Sequence, residues 1–524
     1  MARYPNGMSS FEKIRLGGFI YIDKTRYIYK LLESNGTYFF LGRPRRFGKS
    51  LFVSTLEAFF QGKRELFCGL EIEKLDWNWE EYPVIRIDLT PKSYSVKGDL
   101  EARLSESLFM YEKKYNLTPE KEADAQIRFY RLINRAQEVS GKPVVVLVDE
   151  YEKPIVDNLD NDELKEHNTT FLAGFYSVLK ALDAKLKLVF LTGVTKFGQM
   201  SVFSGLNNIR DISLSKDYDA VCGVTEEELL HYFQEGIEII ARDEDTDFEG
   251  ALKFLKENYD GYHFSEDCPD IYNPFSIINA MDNGRIGPYW ATSGAPTLLA
   301  KTLMDKKFNL QRLDGVKASA ARLLGVNNQF DDPIALLYQT GYLTIKNYIK
   351  KIKTYILGFP NKEVEGAFFD YLLPVYSATG NSVDTATVIT DIGTAFFEGD
   401  PQKAISILKN FTASFPYDML DRIKIEQHFQ DVLFIILKAL LPYVSEVNAE
   451  ERTSDGRSDI TIKTPDFIYI IELKVDSSAK EAFEQIQTKE YALPYINDPR
   501  TVFLIGINFS TEKRRIDDFL TIQL

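Results

Sequence analysis

Cysteine is scarce in this chain: Cys68, Cys222 and Cys268 are the only three in 524 residues. Their odd number and wide spacing argue against a disulfide framework and against a zinc site. Long apolar runs are missing as well. No stretch approaches the roughly 18 residues of a membrane span. The best of them, 432–444, is interrupted by Lys438 and Pro442. The opening Met-Ala-Arg-Tyr-Pro-Asn-Gly-Met holds no apolar core of a secretory leader, so a cytoplasmic, membrane-free address is expected. Positive charge is not in excess either, and a net charge of −15 speaks against general coating of nucleic acid.

What is present suffices for several buried cores. Hydrophobic residues make up 44% and charged residues 27%, the balance of a soluble globular protein, and the length calls for two to four domains. The acidic excess is uneven. Residues 1–63 hold eleven Lys and Arg against four Asp and Glu. A local anion site is the simplest reading, and a DNA-facing patch is the sharper one.

The basic residues gather in 37–50, Thr-Tyr-Phe-Phe-Leu-Gly-Arg-Pro-Arg-Arg-Phe-Gly-Lys-Ser. Residues 38–41 read as a short buried strand, aromatic and uncharged, stopped by Gly42 and Pro44. Gly48-Lys49-Ser50 follows, and then 51–60 with helical apolar spacing. Strand, tight loop, Gly-Lys-Ser and helix are the order that a phosphate-cradling loop requires. Backbone N–H groups and the positive helix end hold phosphate oxygens, the Lys reaches the β- and γ-phosphates, and the Ser hydroxyl ligates Mg²⁺. The candidate nucleotide contacts are Arg45, Arg46, Phe47, Gly48, Lys49, Ser50 and Leu51. In the usual spacing a glycine stands five before Gly48; here that residue is Arg43, with Gly42 displaced by one. The plain alternative is a turn that caps an ordinary helix.

Further on, Val144-Val145-Val146-Leu147-Val148 precedes Asp149-Glu150. Five consecutive branched apolar residues mark a strand covered on both faces, as in a parallel sheet. Asp149, at the carboxyl edge, is a candidate Mg²⁺ ligand, and Glu150 can polarise an attacking water. Two acids opening a loop is the bland alternative. Strands are expected at 84–89 and 187–193. Thr192, Thr195 and Lys196 at the end of the latter are placed to sense a γ-phosphate. Arg210 either stabilises transition-state charge or pairs with Asp211. Helices are expected over 171–182 and over 100–139, broken near 116–119, with the charge run of the second as a solvated face. Asp23 reads as the N-cap ahead of Ile28, and Lys24 as a solvated charge.

From Val224 the texture changes. Thr225 and Glu228 form a capping box. Short helices and aromatic turns, such as Tyr259-Asp260-Gly261-Tyr262-His263-Phe264-Ser265, run on to about residue 400 as a helical lid or adaptor. Strands then return. An apolar helix at 426–441 leads to strands at 455–462 and 467–475. Ile468, Ile470, Glu472 and Lys474 share a face of the latter, because strand side chains alternate. A carboxylate and an ammonium on an otherwise buried strand cost on the order of several kcal/mol unless paired or bound to a metal. Asp459, on the adjoining strand, supplies a second carboxylate. Two hard oxygen ligands suit Mg²⁺, and Lys474 can activate water against a phosphodiester. A Glu472–Lys474 pair at a sheet edge is the alternative. A helix at 479–491 carries Gln485, and 502–507 is expected to close the sheet.

Taken together, these motifs resemble a bacterial family of AAA-ATPase-like proteins with a C-terminal PD-(D/E)XK nuclease-superfamily domain. Tyr21-Ile22-Asp23-Lys24-Thr25, the block from Arg43 to Ser50, Asp149-Glu150-Tyr151-Glu152-Lys153-Pro154 and Gly193-Val194-Thr195-Lys196-Phe197 carry the likeness, with Gly456-Arg457-Ser458-Asp459 and Glu472-Leu473-Lys474 at the end. The resemblance implies an α/β fold class: a P-loop domain with an AAA-like parallel sheet of the additional-strand type (1–215), a helical middle (216–404) and a restriction-endonuclease-like domain (405–524). It implies Lys49 and Ser50 on nucleotide and Mg²⁺, and Asp149 and Glu150 in Walker B roles. Asp459, Glu472 and Lys474 become the nuclease triad, Gln485 its auxiliary, and Glu426 an upstream acid. The expected function is ATP binding and hydrolysis joined to Mg²⁺-dependent cleavage of DNA, in defence or mobile-element biology. The rivals are a regulatory ATPase without nuclease activity and a nucleotide-bound scaffold. A homo-oligomer is compatible with the sequence, and the oligomeric state is left open.

Overall fold

A computed structural model describes residues 3–75, 77–118, 124–194, 202–203, 206, 208–290, 303, 308, 310, 313–323, 332–376, 382–414, 425–440, 446–453 and 456–524; for 382–384, 425–430, 446–453 and 456–459 the backbone alone is described. Contacts divide the chain into two compact units. The first comprises 1–293 with 315–360, and the second 294–314 with 361–524, so the stretch 216–404 is shared between them.

In the first unit, β1 (Tyr38–Gly42), β2 (Val84–Asp88), β3 (Val144–Asp149), β4 (Leu186–Gly193) and the two-residue β5 (Arg210–Asp211) form one parallel sheet in the order β2-β3-β4-β1-β5. β4 therefore lies between the loop-bearing strand and the Asp-Glu strand, the additional-strand arrangement. All six residues of β3 are buried, as an apolar run without alternation requires in a parallel sheet. Alternate side chains sort to two faces. Phe40, Val146, Val148 and Leu191 join a core with the helices Asp99–Lys114, Ala125–Ser140 and Asp162–Ala181. Phe190 points the other way and meets Phe52, on the helix Lys49–Phe60, at 5.6 Å between ring centroids.

In the same unit, helices Glu226–Tyr232, Gln234–Asp243, Phe248–Tyr259 and Pro274–Asn283 build a core of their own around Leu229, Ile237, Leu255 and Ile277. The expected capping box at Thr225 and Glu228 is formed. The helical reading of the middle omits a three-stranded antiparallel sheet of β6 (Val316–Ser319), β7 (Thr344–Ile349) and β8 (Thr354–Gly358). Its hairpin is marked by the Tyr-Ile pairs 348–349 and 355–356 on either side of Lys350-Lys351-Ile352-Lys353, with Lys353 at φ +49°.

Two surface readings give way to burial, and one cap is reassigned. Glu112 and Arg128, in the supposedly solvated charge run, make an interior ion pair at 2.8 Å. Lys24 is buried against Glu228 rather than solvated. Asp23 is not the cap of the following helix, whose N-cap is Thr25 with no side-chain bond. Its Oδ1 accepts from Thr25 N and Oγ1, and its Oδ2 accepts from Glu71 N.

In the second unit, β9 (Glu446–Thr453), β10 (Gly456–Lys463), β11 (Phe467–Val475), β12 (Thr501–Ser510) and β13 (Arg515–Gln523) form a mixed sheet in sequence order. β11 and β12 run parallel, linked by the helix Ala479–Thr488, which packs Phe483 and Ile486 against Ile468, Ile470 and Leu504. The strand at 502–507 does not close the sheet: β13 pairs antiparallel beyond it. The turn at 511–514 returns the chain, and the charges scattered through β13 disguise its period.

Candidate functional site

The loop after β1 is built by its own side chains. Gly48 has φ +93° and nothing within 4 Å of where a Cβ would stand, so the backbone conformation, not crowding, requires glycine there. Lys49, nearly buried, folds back over the loop and donates to the carbonyls of Arg43 and Pro44, both at 3.0 Å. Phe47 is buried edge-on against Tyr262 and Phe264, at 4.8 and 5.4 Å, so the Tyr-Asp-Gly-Tyr-His-Phe-Ser turn is packed on the loop. Arg45 and Arg46 are exposed, and the Arg46 guanidinium stacks 4.6 Å from the centre of Phe275. Ser50 and Leu51 open the helix, half-buried.

Arg43, where a phosphate loop usually has glycine, does something else. It is 1% exposed and donates to the carbonyls of Gly42, Ser213 and Tyr218 at 2.8–2.9 Å, with its guanidinium 3.9 Å from the centre of the Phe264 ring. It clamps the loop to the segment after β5. A side chain spent on three carbonyls is a brace, not a phosphate contact.

At the carboxyl edge of the sheet, Thr192 Oγ1 donates to Asp149 Oδ1 at 2.6 Å. β4 carries Thr192 opposite Leu41 of β1 while also pairing with β3, and this brings the two residues together. Asp149 is 1% exposed. Among the described residues no hydrogen-bond donor reaches its Oδ2, and the nearest charge is Arg86 Nη2 at 3.7 Å. A buried carboxylate oxygen left for a cation fits the role of Mg²⁺ ligand. Glu150 follows at φ +53°, in the left-handed region that a non-glycine residue seldom adopts, with the next amide donating back to Thr192 O at 3.1 Å. Thr195 and Lys196 lie outside the described residues. Arg210 is not brought to this group. It sits opposite Phe39 on the edge strand, three residues before the end of β1, and is exposed. The parallel register holds it back from the carboxyl edge.

In the second unit, Glu472 is 2% exposed on β11. Gln485, on the crossing helix, donates through Nε2 to Glu472 Oε1 and accepts at Oε1 from Lys474 Nζ. Lys474 Nζ lies 3.7 Å from the same glutamate oxygen. Ile460 of β10 pairs with Ile471, the residue before Glu472, and Asp459 precedes Ile460 on β10. The side chains of Asp459 and Glu426 lie outside the described residues. The buried Glu472 carboxylate, with an ammonium and an amide alongside, offers a hard oxygen donor of the kind a divalent cation takes.

A model described as predicted AAA-ATPase matches residues 5–203, and one described as PD-(D/E)XK nuclease superfamily matches 424–519. An uncharacterized protein in the vnfD 5' region of Azotobacter chroococcum mcd 1 is 33% identical over 531 residues, covering 99% of this chain and 98% of its own. The chain belongs to the AAA-ATPase-like family with a PD-(D/E)XK domain. Solved structures give weaker likenesses. Cdc6p of Pyrobaculum aerophilum is 12% identical, covering 69% of this chain and 93% of its own, at a TM-score of 0.24. The ORC2 protein of Aeropyrum pernix, solved in ADPNP and ADP complexes, is 12% identical, covering 64% and 87%, at 0.26.

For an AAA-ATPase-like chain, the residues that motif reading missed are as informative as those it found. Arg86, in the middle of β2, touches both Glu57 and Asp149. A lone arginine in a strand otherwise of Val, Ile and Asp was the available signal.

Proposed function

We propose that the chain binds and hydrolyses ATP with Mg²⁺ in its first unit, and that its C-terminal domain is a Mg²⁺-dependent nuclease that cuts DNA. The observation that carries the reading is the chain of contacts from Lys474 through Gln485 to buried Glu472, on a strand whose antiparallel neighbour carries Asp459 just beyond its paired Ile460. A structural ion pair at a sheet edge would not need the glutamine bridge.

Mg²⁺, when bound, supplies charge neutralisation at phosphate oxygens. In the first unit, Lys49 gives up its two carbonyls to reach the β- and γ-phosphates, while the amides from Arg45 to Leu51 cradle them. Ser50 and Asp149 would hold the metal, Glu150 would orient the attacking water, and Thr192 keeps Asp149 in place. In the second, Asp459 and Glu472 would hold the metal, Lys474 would orient water on the phosphodiester, and Gln485 fixes the side chains of Glu472 and Lys474. The division of domains at about 215 and 404, and a role in defence or on mobile elements, belong to the same proposal.

Cleavage of plasmid and single-stranded DNA with Mg²⁺ or Mn²⁺, with and without ATP, tests it. Metal-dependent cutting by the wild type, lost in Glu472→Ala, is expected, with ATP turnover lost in Lys49→Ala. No cutting under any condition, with ATP still bound, would leave a regulatory ATPase, the reading that the net charge of −15 favours.

A further inference from the structure

The carboxylate assigned to the ATP-site metal is already facing a cation. Arg86 Nη1 donates to Glu57 Oε2 at 3.0 Å, and its Nη2 lies 3.7 Å from Asp149 Oδ2. Parallel register sets Arg86 beside Leu147, two residues before Asp149, so an extended arginine reaches the carboxyl edge. Glu57 stands two turns into the helix that begins at Lys49. Thr192 already occupies Asp149 Oδ1, which leaves Oδ2 as the oxygen that the guanidinium and a metal would share. At 3.7 Å the Arg86 contact with Oδ2 is an ion pair without a hydrogen bond, while the bond to Glu57 is fully formed.

We propose that Arg86 is a positioning residue that stands in for the metal. It balances Asp149 until Mg²⁺ and nucleotide arrive, and is then held by Glu57, so the pair of contacts sets the metal affinity of the ATP site. The inference rests on reading the 43–50 loop and Asp149 as that site. The sign follows from Coulomb's law: a cation beside Oδ2 opposes a second cation at the same oxygen. Removing Arg86 strengthens metal binding. Removing the charge of Glu57 returns the guanidinium to Asp149 and weakens it. An arginine that merely holds the fold predicts something different, since its loss would weaken nucleotide and metal together.

The test uses the full chain and two binding readouts: a fluorescent ATP analogue titrated with Mg²⁺ or in EDTA, and Mn²⁺ paramagnetic resonance with a non-hydrolysable analogue. Arg86→Met is expected to lower the half-saturating metal concentration about three- to tenfold, with metal-free nucleotide affinity unchanged within about twofold. Arg86→Lys is expected to stay near the wild type, and Glu57→Gln to raise the half-saturating concentration by about threefold. An Arg86→Met chain whose metal binding is unchanged, or whose metal and nucleotide binding fall together, overturns the proposal. If that variant does not fold, Glu57→Gln decides: unchanged or tighter metal binding overturns it. A wild type that binds nucleotide with no dependence on metal, or binds none, overturns the ATP-site reading itself.

Discussion

Lys24 and Glu228 stand 204 residues apart in sequence and meet inside the first unit, the ammonium 2.7 Å from both carboxylate oxygens. Glu228 also accepts from Thr225 N, closing the cap of the helix Glu226–Tyr232, and Tyr232 OH accepts from Asp23 N at 3.3 Å. The Tyr-Ile-Asp-Lys-Thr motif is thus the seat on which the helices after the sheet dock.

Breaking this pair from one side leaves a buried charge alone. Lys24→Ala is expected to destabilise the first unit by about 3–5 kcal/mol, read by chemical denaturation. Lys24→Met combined with Glu228→Leu recovers most of that loss, since neither charge then remains uncompensated. A double variant no better than the single one would show that the seat is held by something else.

Asp260 makes stability depend on pH. Burial pushes its carboxyl up to about 7, with Asp270 and Glu226 adding to the rise and the Gly261 N–H and Lys256 opposing it. The folded state therefore holds a proton that the unfolded chain releases near the ordinary carboxylate value. Stability is fully present below that value and is lost as the pH rises through the folded one. Asp260→Asn is expected to raise stability at pH 8 by on the order of 2 kcal/mol and to change little at pH 4. Melting temperatures at the two pH values check it.

Arg43 should be replaceable by neither methionine nor lysine. Arg43→Met strands three carbonyls that the guanidinium now serves, an expected loss of about 2–4 kcal/mol. A single ammonium lacks the planar fork that reaches all three, so Arg43→Lys recovers little. Because Lys49 rests on the Arg43 carbonyl, both variants should also weaken binding of a fluorescent ATP analogue, provided the chain remains folded.

Gln485 touches both Glu472 and Lys474, so its loss should reach the chemistry before the fold. Gln485→Ala is expected to lower DNA cleavage about 10- to 100-fold. The melting temperature should hardly move. Unchanged cleavage would remove Gln485 from the site.

Most of the frame was legible because its signals are local. A run of five branched residues is a buried strand wherever it occurs, and Gly48-Lys49-Ser50 between strand and helix needs no distant partner to be recognised. The face shared by Glu472 and Lys474 follows from alternation alone. β13 was missed for the opposite reason: an edge strand solvated on one side mixes charges into its apolar period, and only pairing with β12 makes it a strand. The hairpin of β7 and β8 was hidden in the same way by Lys350, Lys351 and Lys353.

By itself the sequence determined the strands of both sheets that carry the sites, the loop with its lysine, and the acids at strand ends, since period, glycine placement and strand-end position are properties of adjacent residues. Only the tertiary structure decided that Lys24 is buried, that Arg43 is a brace, that Arg210 stands away from the carboxyl edge and that Arg86 faces Asp149. Each depends on which strands and helices become neighbours, and that is settled by the burial of whole faces, a cooperative outcome that no short stretch of residues encodes alone.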